Sequence, residues 1–553
     1  MFLKNNGKRG QPAVNRQLAG NIVRQVRSTL LALPVPPLLP ICMPRPLSKL
    51  RVTSLGVALL VPFWLASAAP LWSSELPKMR VELVLEQEPA LRLEVRVTLE
   101  GEADGETLMG VSNDWGGVPA ERVDLQHVTA TNAAGEELTV EVRSSFEWNV
   151  VHAPSETFTL SAWLLPNELR KSGQSSDHYR PILEPELFQG ISHLFMPRQA
   201  VADGDEDLIE LTLAFEGFED AGWDVVHSFG LGSQELEIEV TRSRLSGMLF
   251  SAGKLQIHTL EIRGGLLAVT LDSTKWRFDG AEFADLVAEI IDLEREYMDD
   301  DSAPFYWVGA IATGAAKANG YSFGGTGLTN SFALFLQPNT VIDANSPIGP
   351  HIRKLLGHEC FHEWNGLRIR MDSPEEQNYW FSEGFTDFFG RNILHRGGVL
   401  DDKTFVGMIN TVLRDYHTSP VRNLPAAELG KIFWTDGDAQ KQPYLRGELM
   451  AMLIDHAILG RSDGDEDLSD LMRALLDEAD LDPEQRFDTP ELLERIGRFT
   501  GPELLPLLRG ICVDGETVVL PEDVFGAAFT VGTSMQRMQD GSELEIQELC
   551  IRK

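Results

Sequence analysis

Cysteine is scarce, four in 553 residues, and no CxxC pair occurs. That excludes a disulfide-built scaffold and any redox or metal motif made of paired cysteines. Basic charge is in short supply too: 48 Lys and Arg stand against 83 Asp and Glu, for a net charge of −35. So acidic a chain has no general affinity for nucleic acid or anionic membrane. Acid is missing from the first 74 residues, which hold nine Lys or Arg, and Glu75 is the first acidic side chain. No stretch approaches 18 uninterrupted apolar residues, so no spanning helix is expected and the mature chain reads as soluble. What is present is an ordinary globular composition, 43% apolar and 24% charged, which excludes wholesale disorder. The length suits about three domains of ~150 residues.

The basic start reads as an export signal. Residues 55–65 (LGVALLVPFWL) form a short apolar run, with Lys49 and Arg51 before it and Ala66-Ser67-Ala68 after it. A charged segment, an apolar segment and a small-x-small site predict cleavage after Ala68 and a periplasmic or secreted protein. Met43 would give such a signal a normal length. The alternatives are an uncleaved anchor or a disordered basic tail. Without residues 1–68 the charge becomes −35 − 9 = −44. Cys360, Cys512 and Cys550 stay in the mature chain, and the last two are either a bridge pinning the C-terminus or two free thiols.

The periodicity predicts a multidomain architecture. From 69 to 245 the period is two, as in RVELVLEQ, LRLEVRVTLEG, LIELTLAF and ELEIEVTR, which indicates an antiparallel, sandwich-like β domain. From 246 to 400 strands and helices mix: LLAVTLD and SFALFL (Ser331–Leu336) read as strands, and Phe283–Tyr297 reads as an amphipathic helix. Residues 401–510 are expected to be helical, and 511–553 to form a tail with strand-like pieces at 516–520 and 543–547.

The chemistry concentrates in 350–390. His358-Glu359-Cys360-Phe361-His362 is an HExxH between Pro350, a helix starter, and Gly366, a helix stop. On a helix, i and i+4 put both imidazoles on one face, where a single Zn²⁺ can accept both. Glu359 projects beside them and can take a proton from an attacking water. Glu383 follows in Tyr379-Trp-Phe-Ser-Glu-Gly-Phe-Thr-Asp387, and a turn near Pro374 would return it to the metal as third ligand. Three protein ligands leave one position open, the catalytic pattern. Asp387, one turn on, could accept the free ring N–H of a ligand histidine. Cys360 faces away from the metal edge, and His395 reads as a helix C-terminal histidine.

These segments resemble the glycyl aminopeptidase family of gluzincin metallopeptidases. His358-Glu-Cys-Phe-His-Glu-Trp-Asn-Gly-Leu-Arg-Ile-Arg370 looks like the family's zinc helix and its exit. Trp380-Phe-Ser-Glu-Gly-Phe-Thr looks like its third-ligand helix, and Tyr444-Leu-Arg-Gly-Glu-Leu-Met looks like its Tyr-x-Lys-Gly helix. The resemblance implies a thermolysin-like α+β catalytic domain and one Zn²⁺ per chain on His358, His362 and Glu383. It implies Glu359 as general base and Tyr444 as donor to the oxyanion, unless Tyr444 is only a buried tyrosine at a helix start. The partner would be a peptide or protein substrate.

The chain departs from that family at two places. Gly-Gly-Leu-Glu-His, whose Glu is expected to hold the substrate amine, is replaced by Gly324-Gly-Thr-Gly-Leu-Thr-Asn-Ser331. The Glu position falls on Gly327 or Thr329, neither acidic. No room remains after Gly501 for the PDZ domain that many members carry. Gly324, Gly325, Gly327, Thr329, Asn330 and Ser331 are expected to shape the substrate's N-terminal end, with Ser331–Leu336 pairing to the peptide as an added strand. The expected activity is an aminopeptidase-like zinc peptidase. The rivals are an endopeptidase, a peptide-binding protein that keeps the scaffold without catalysis, or a zinc hydrolase of another bond.

Overall fold

The computed structural model describes residues 76–552 apart from 116–117, 120–123, 172–174, 200–206, 315–322 and 539. The expected export signal and the start at Met43 lie outside these residues. Among the described residues no helix is long and apolar enough to cross a membrane.

The N-terminal region is rich in β structure, as the period of two predicts. Strands between Lys78 and Thr241 form a ten-stranded sheet. A second sheet has five strands, in the order Ile182–Glu184, Leu187–Ile191, Leu249–Gly253, Asp224–His227 and Gly230–Leu231. Val81, Val95 and Leu211 of the first sheet share one core with Phe188, Val225 and Phe250 of the second. The two sheets therefore pack face to face. Two details differ from the expectation. Lys78–Glu86 pairs in parallel with Leu208–Glu216, so the large sheet is not wholly antiparallel. Leu249–Gly253 pairs with Leu187–Ile191 and Asp224–His227, so β pairing continues past the expected boundary at 245.

The next unit is a five-stranded mixed sheet. Its order is Gln256–Ile262, Gly265–Leu271, Phe305–Ala312, Ser331–Leu336 and Phe323–Leu328, with the two inner pairings parallel and the two outer ones antiparallel. One face carries Val269, Val308, Phe332 and Leu334 against helices Gly280–Met298 and Gly349–Phe361. The other face carries Trp307, Ala333 and Phe335 against Ile182, Leu187 and Val226 of the β region. A strand covered on both faces needs apolar residues at every position, which is why FYWVGAIA and SFALFL show no alternation.

Ser331–Leu336 is consequently an interior strand, hydrogen-bonded on both sides. The edge is the glycine-rich strand Phe323–Leu328. Strand addition at Ser331–Leu336 is therefore blocked. An all-apolar run marks a central strand, and this run was read as the edge.

The remaining helices close over the sheet. Phe361, Trp364, Phe381, Phe385 and Phe389 share a core with Leu449, Met450 and Ile454 of the long helix Gly437–Arg461. Beyond 511 the chain is no loose tail. Phe529–Arg537 and Glu543–Ile551 form a hairpin whose Val531 and Leu549 join that same core. Residues 516–520 are irregular, and Cys360, Cys512 and Cys550 are all free thiols.

Candidate metal centre and active site

The helix Gly349–Phe361 begins where the Ser346 hydroxyl accepts the Gly349 N–H at 2.9 Å, with Pro350 in its first turn. It ends at His362, and Gly366 at φ 121° turns the chain back, a conformation that only glycine adopts without strain. The i, i+4 spacing brings the His358 and His362 rings together edge to face, with their Nε2 atoms 3.2 Å apart. His362 Nδ1 lies 2.8 Å from the Asn365 carbonyl. A carbonyl only accepts, so Nδ1 carries the proton and Nε2 keeps its lone pair.

Glu383 sits at the break between two short helices, Tyr379–Ser382 and Gly384–Arg396. One continuous helix was expected. Two contacts hold the break in place. The Asn365 amide, fully buried, donates to the Phe381 carbonyl and the Thr386 hydroxyl, both at 3.0 Å. A Cβ at Gly384 would lie 2.4 Å from Gly447 Cα, and one at Gly447 would lie 1.8 Å from the Trp380 carbonyl oxygen. The long helix thus crosses backbone against backbone at this point.

Glu383 Oε2 reaches to 3.3 Å from His358 Nε2 and 3.7 Å from His362 Nε2. Among the described residues this trio is the one group of three whose donor atoms converge closely enough to hold a metal ion. Tetrahedral bonds of ~2.0–2.1 Å place donors about 3.3 Å apart, so two imidazole nitrogens and a carboxylate oxygen at these separations fit zinc.

Charges around the trio are arranged in alternation. His358 Nδ1 lies 2.7 Å from Asp387 Oδ1, which leaves Nε2 for a metal. Asp387 is buried, which disfavours its charge, but Lys354 and Arg391 against it hold its carboxyl well below the usual carboxylate range. Arg391 pairs in turn with Glu448, whose burial pushes it up to about 7 even so. For His358, burial and Lys354 lower the pKa, yet Asp387 and Glu383 outweigh them and raise it to about 9 without a metal. Glu383 is lowered: burial opposes its charge, and His362, His358 and the Tyr444 hydroxyl prevail.

Tyr444 lies inside the helix Gly437–Arg461, with Pro443 also inside it, so it does not start a helix. Its ring stacks 6.3 Å from that of His358, and Glu383 lies close enough to bear on its hydroxyl. Burial and then Glu383 raise its pKa well above that of an ordinary tyrosine, so it stays a protonated donor. Glu359 accepts the Gly327 N–H at 3.1 Å, which places its carboxylate beside the edge strand.

The six expected substrate residues divide into two groups. Gly324, Gly325 and Gly327 lie on the edge strand. A Cβ at Gly327 would meet His362 Cβ at 2.9 Å, one at Gly325 would meet the Phe332 ring at 2.0 Å, and one at Gly324 would meet nothing. Thr329, Asn330 and Ser331 are instead anchored in the β region. The Thr329 hydroxyl donates to the Arg244 carbonyl at 2.7 Å, Arg244 donates to the Asn330 side chain at 2.5 Å, and Ser331 meets Ser228 at 3.1 Å. His395, in its helix's last turn, bonds Asp402 at 2.8 Å and takes no part. Sequence reasoning missed Lys354, Asn365, Arg391 and Glu448. Lys354, Arg391 and Glu448 lie four residues from His358, Asp387 and Tyr444 respectively, a spacing that does not by itself join residues of three separate helices.

Residues 351–443 match the family model of the M61 glycyl aminopeptidases, the family that the motifs resemble. No curated protein matches the sequence. Among solved structures, an aminopeptidase N family protein from Idiomarina loihiensis superposes with a TM-score of 0.68 at 17% identity, over 84% of this chain and 81% of that one. The M1 zinc metallopeptidase from Deinococcus radiodurans, solved as a variant bound to a Tyr-Ser-Ala substrate, gives 0.51 at 15% identity, over 81% and 95%. At such identities the likeness establishes a shared fold.

Proposed function

We propose that this chain is an exported, zinc-dependent peptidase of aminopeptidase-like type, with a thermolysin-like catalytic unit between the β region and the helical region. The observation that carries the reading is the convergence of His358, His362 and Glu383, with Tyr444 stacked against His358 and Glu359 on the same helix as the two histidines. His358, His362 and Glu383 would hold the zinc. When bound, zinc supplies a Lewis acid and lowers the pKa of water. Glu359 takes the proton from the attacking water and passes it to the leaving amine. Tyr444, protonated and within reach of Glu383, donates to the oxygen on which negative charge develops.

The substrate backbone pairs with the edge strand Phe323–Leu328, whose outer edge no other strand covers among the described residues. The Gly327 N–H points away from Ser331–Leu336, as its bond to Glu359 shows. Period two then puts the Gly325 N–H on the same outer edge. Main-chain pairing at that edge would orient an extended peptide across Glu359.

A second reading is favoured by one feature. FGGTGL carries no acidic side chain, and the space beyond Gly327 is filled by the metal helix. A substrate ammonium finds no carboxylate on this strand, which suits an endopeptidase. The test is zinc stoichiometry together with cleavage of a peptide mixture, each peptide supplied with free and acetylated N-termini. Cleavage of free N-termini alone supports the aminopeptidase, and equal cleavage of both supports the endopeptidase. Zinc and peptide binding with hydrolysis no greater than that of Glu359→Gln would support a binding protein. Absence of zinc would overturn the proposal.

A further inference from the structure

Three charged side chains of alternating sign, Glu448, Arg391 and Asp387, lead from the long helix to the His358 ring of the metal trio. Lys354 joins at Asp387 from one turn before His358. Glu448 is 0% exposed, and Asp387 and Arg391 are buried. The line crosses three helices, because Glu448 lies on Gly437–Arg461, Asp387 and Arg391 on Gly384–Arg396, and Lys354 and His358 on Gly349–Phe361. Glu448 is also four residues after Tyr444, so one face of the long helix sends two side chains toward the same centre.

Stability alone explains this cluster poorly. Burying an ion pair removes both charges from water, and packed apolar residues of like volume serve as well or better. The surroundings are apolar, with Leu449, Met450, Phe388 and Phe389 in the adjoining core, so an apolar solution was open to this fold. What an apolar solution cannot do is fix the position and charge of Asp387. Lys354 and Arg391 approach it from two helices, and Glu448 fixes Arg391 from a third. Its free choice of position is thereby removed, and with it that of the His358 ring.

We infer that Glu448 is a positioning residue for the metal centre: acting through Arg391 and Asp387, it fixes the tautomer and orientation of His358 and so sets the affinity for zinc. The inference rests on the zinc reading above. It makes the helical region a contributor to metal binding although that region supplies no ligand.

The test is the dissociation constant for Zn²⁺, measured on the full chain by competition with a chromophoric chelator, with near-ultraviolet circular dichroism as a check of fold. Glu448→Gln keeps the shape and removes the charge. The pair Arg391→Met with Glu448→Met removes both charges together and leaves neither one stranded. Both should bind zinc roughly tenfold to a hundredfold more weakly, the range typical of groups that orient metal-ligating histidines. In an Asp387→Asn background, Glu448→Gln should add almost nothing, because its path is already cut. Unchanged zinc affinity in the folded pair variant would overturn the inference, as would additive losses in the double-variant cycle. If wild type itself takes up no zinc, the functional reading fails first and the inference with it.

Discussion

Glu359 and Asp387 are both carboxylates within reach of the HExxH helix, yet they do different work. Asp387 is clamped by Lys354 and Arg391 and bears on His358, while Glu359 faces the edge strand through a single bond from Gly327. Removing the base should spare the metal. Glu359→Gln is expected to lose at least about a hundredfold in kcat, within the range for general acid–base groups, and to retain one zinc per chain by atomic absorption. Tyr444→Phe should lose roughly 10²–10³ in kcat, the usual effect of one lost oxyanion donor, without a comparable rise in KM. A third expectation concerns protons. Zinc requires a neutral imidazole, and His358 titrates at about 9 in the metal-free protein. Zinc affinity should therefore rise with pH, about tenfold per unit, until about 9, and binding near pH 7.5 should release about one proton. Calorimetry in buffers of different ionisation enthalpy measures that release. The sign for stability is opposite. A histidine raised from 6.5 to about 9 stabilises the metal-free fold fully below 6.5, and that contribution is lost as pH rises through 9.

Two close approaches set the geometry among the secondary-structure elements. Gly384 against Gly447 lets the long helix bring Tyr444 onto Glu383, and Gly327 against His362 lets the edge strand reach Glu359. A methyl group at Gly447 would overlap the Trp380 carbonyl, and backbone cannot yield as a side-chain tip can. Gly447→Ala is expected to cost about 1–3 kcal/mol or more by overpacking, and to weaken zinc binding because Glu383 is displaced with its helix. A folded Gly447→Ala protein with wild-type zinc affinity would refute that coupling. These contacts also show what the sequence could reveal. His358 with His362, and Glu383 with Asp387, were legible as i, i+4 pairs because a helix repeats every 3.6 residues, while the meeting of the two pairs needed the turn near Pro374. The edge strand was not legible. Three of the six residues of Phe323–Leu328 are glycine, so neither period nor propensity marks it as a strand, and its role comes from pairing with Ser331–Leu336. The charged line through Arg391 and Glu448 lay hidden for a related reason. Each is locally an unremarkable helix charge, and only the crossing of three helices joins them.

At the scale of the molecule, the mixed sheet is the shared wall. It gives one face to the β region and the other to the helices that carry the centre. The helices in turn share their core with the last 35 residues or so, and this makes a strong prediction about the C-terminus. Val518, Leu520, Val524, Phe529, Val531 and Leu549 are all buried against Phe405, Ile409, Val412 and Leu413. The hairpin is fastened as well, with Asn410 bonding the Leu549 carbonyl at 2.9 Å and its N–H at 2.6 Å, and with Tyr416 accepting the Val518 N–H at 2.8 Å. Burying each such apolar side chain is worth ~1.5–3 kcal/mol. Six of them approach or exceed the ~5–15 kcal/mol net stability of a typical domain. A chain ending at Val513 should therefore lose its helical region's cooperative fold and, since Tyr444 and Glu448 ride on that region, lose zinc binding too. The check is thermal unfolding of the truncated chain beside a Leu549→Ala variant of the full chain. Leu549→Ala should cost about 2–5 kcal/mol and leave zinc on the folded protein. A truncated chain that melts like the full one and still binds zinc would show that the hairpin is merely laid on the surface.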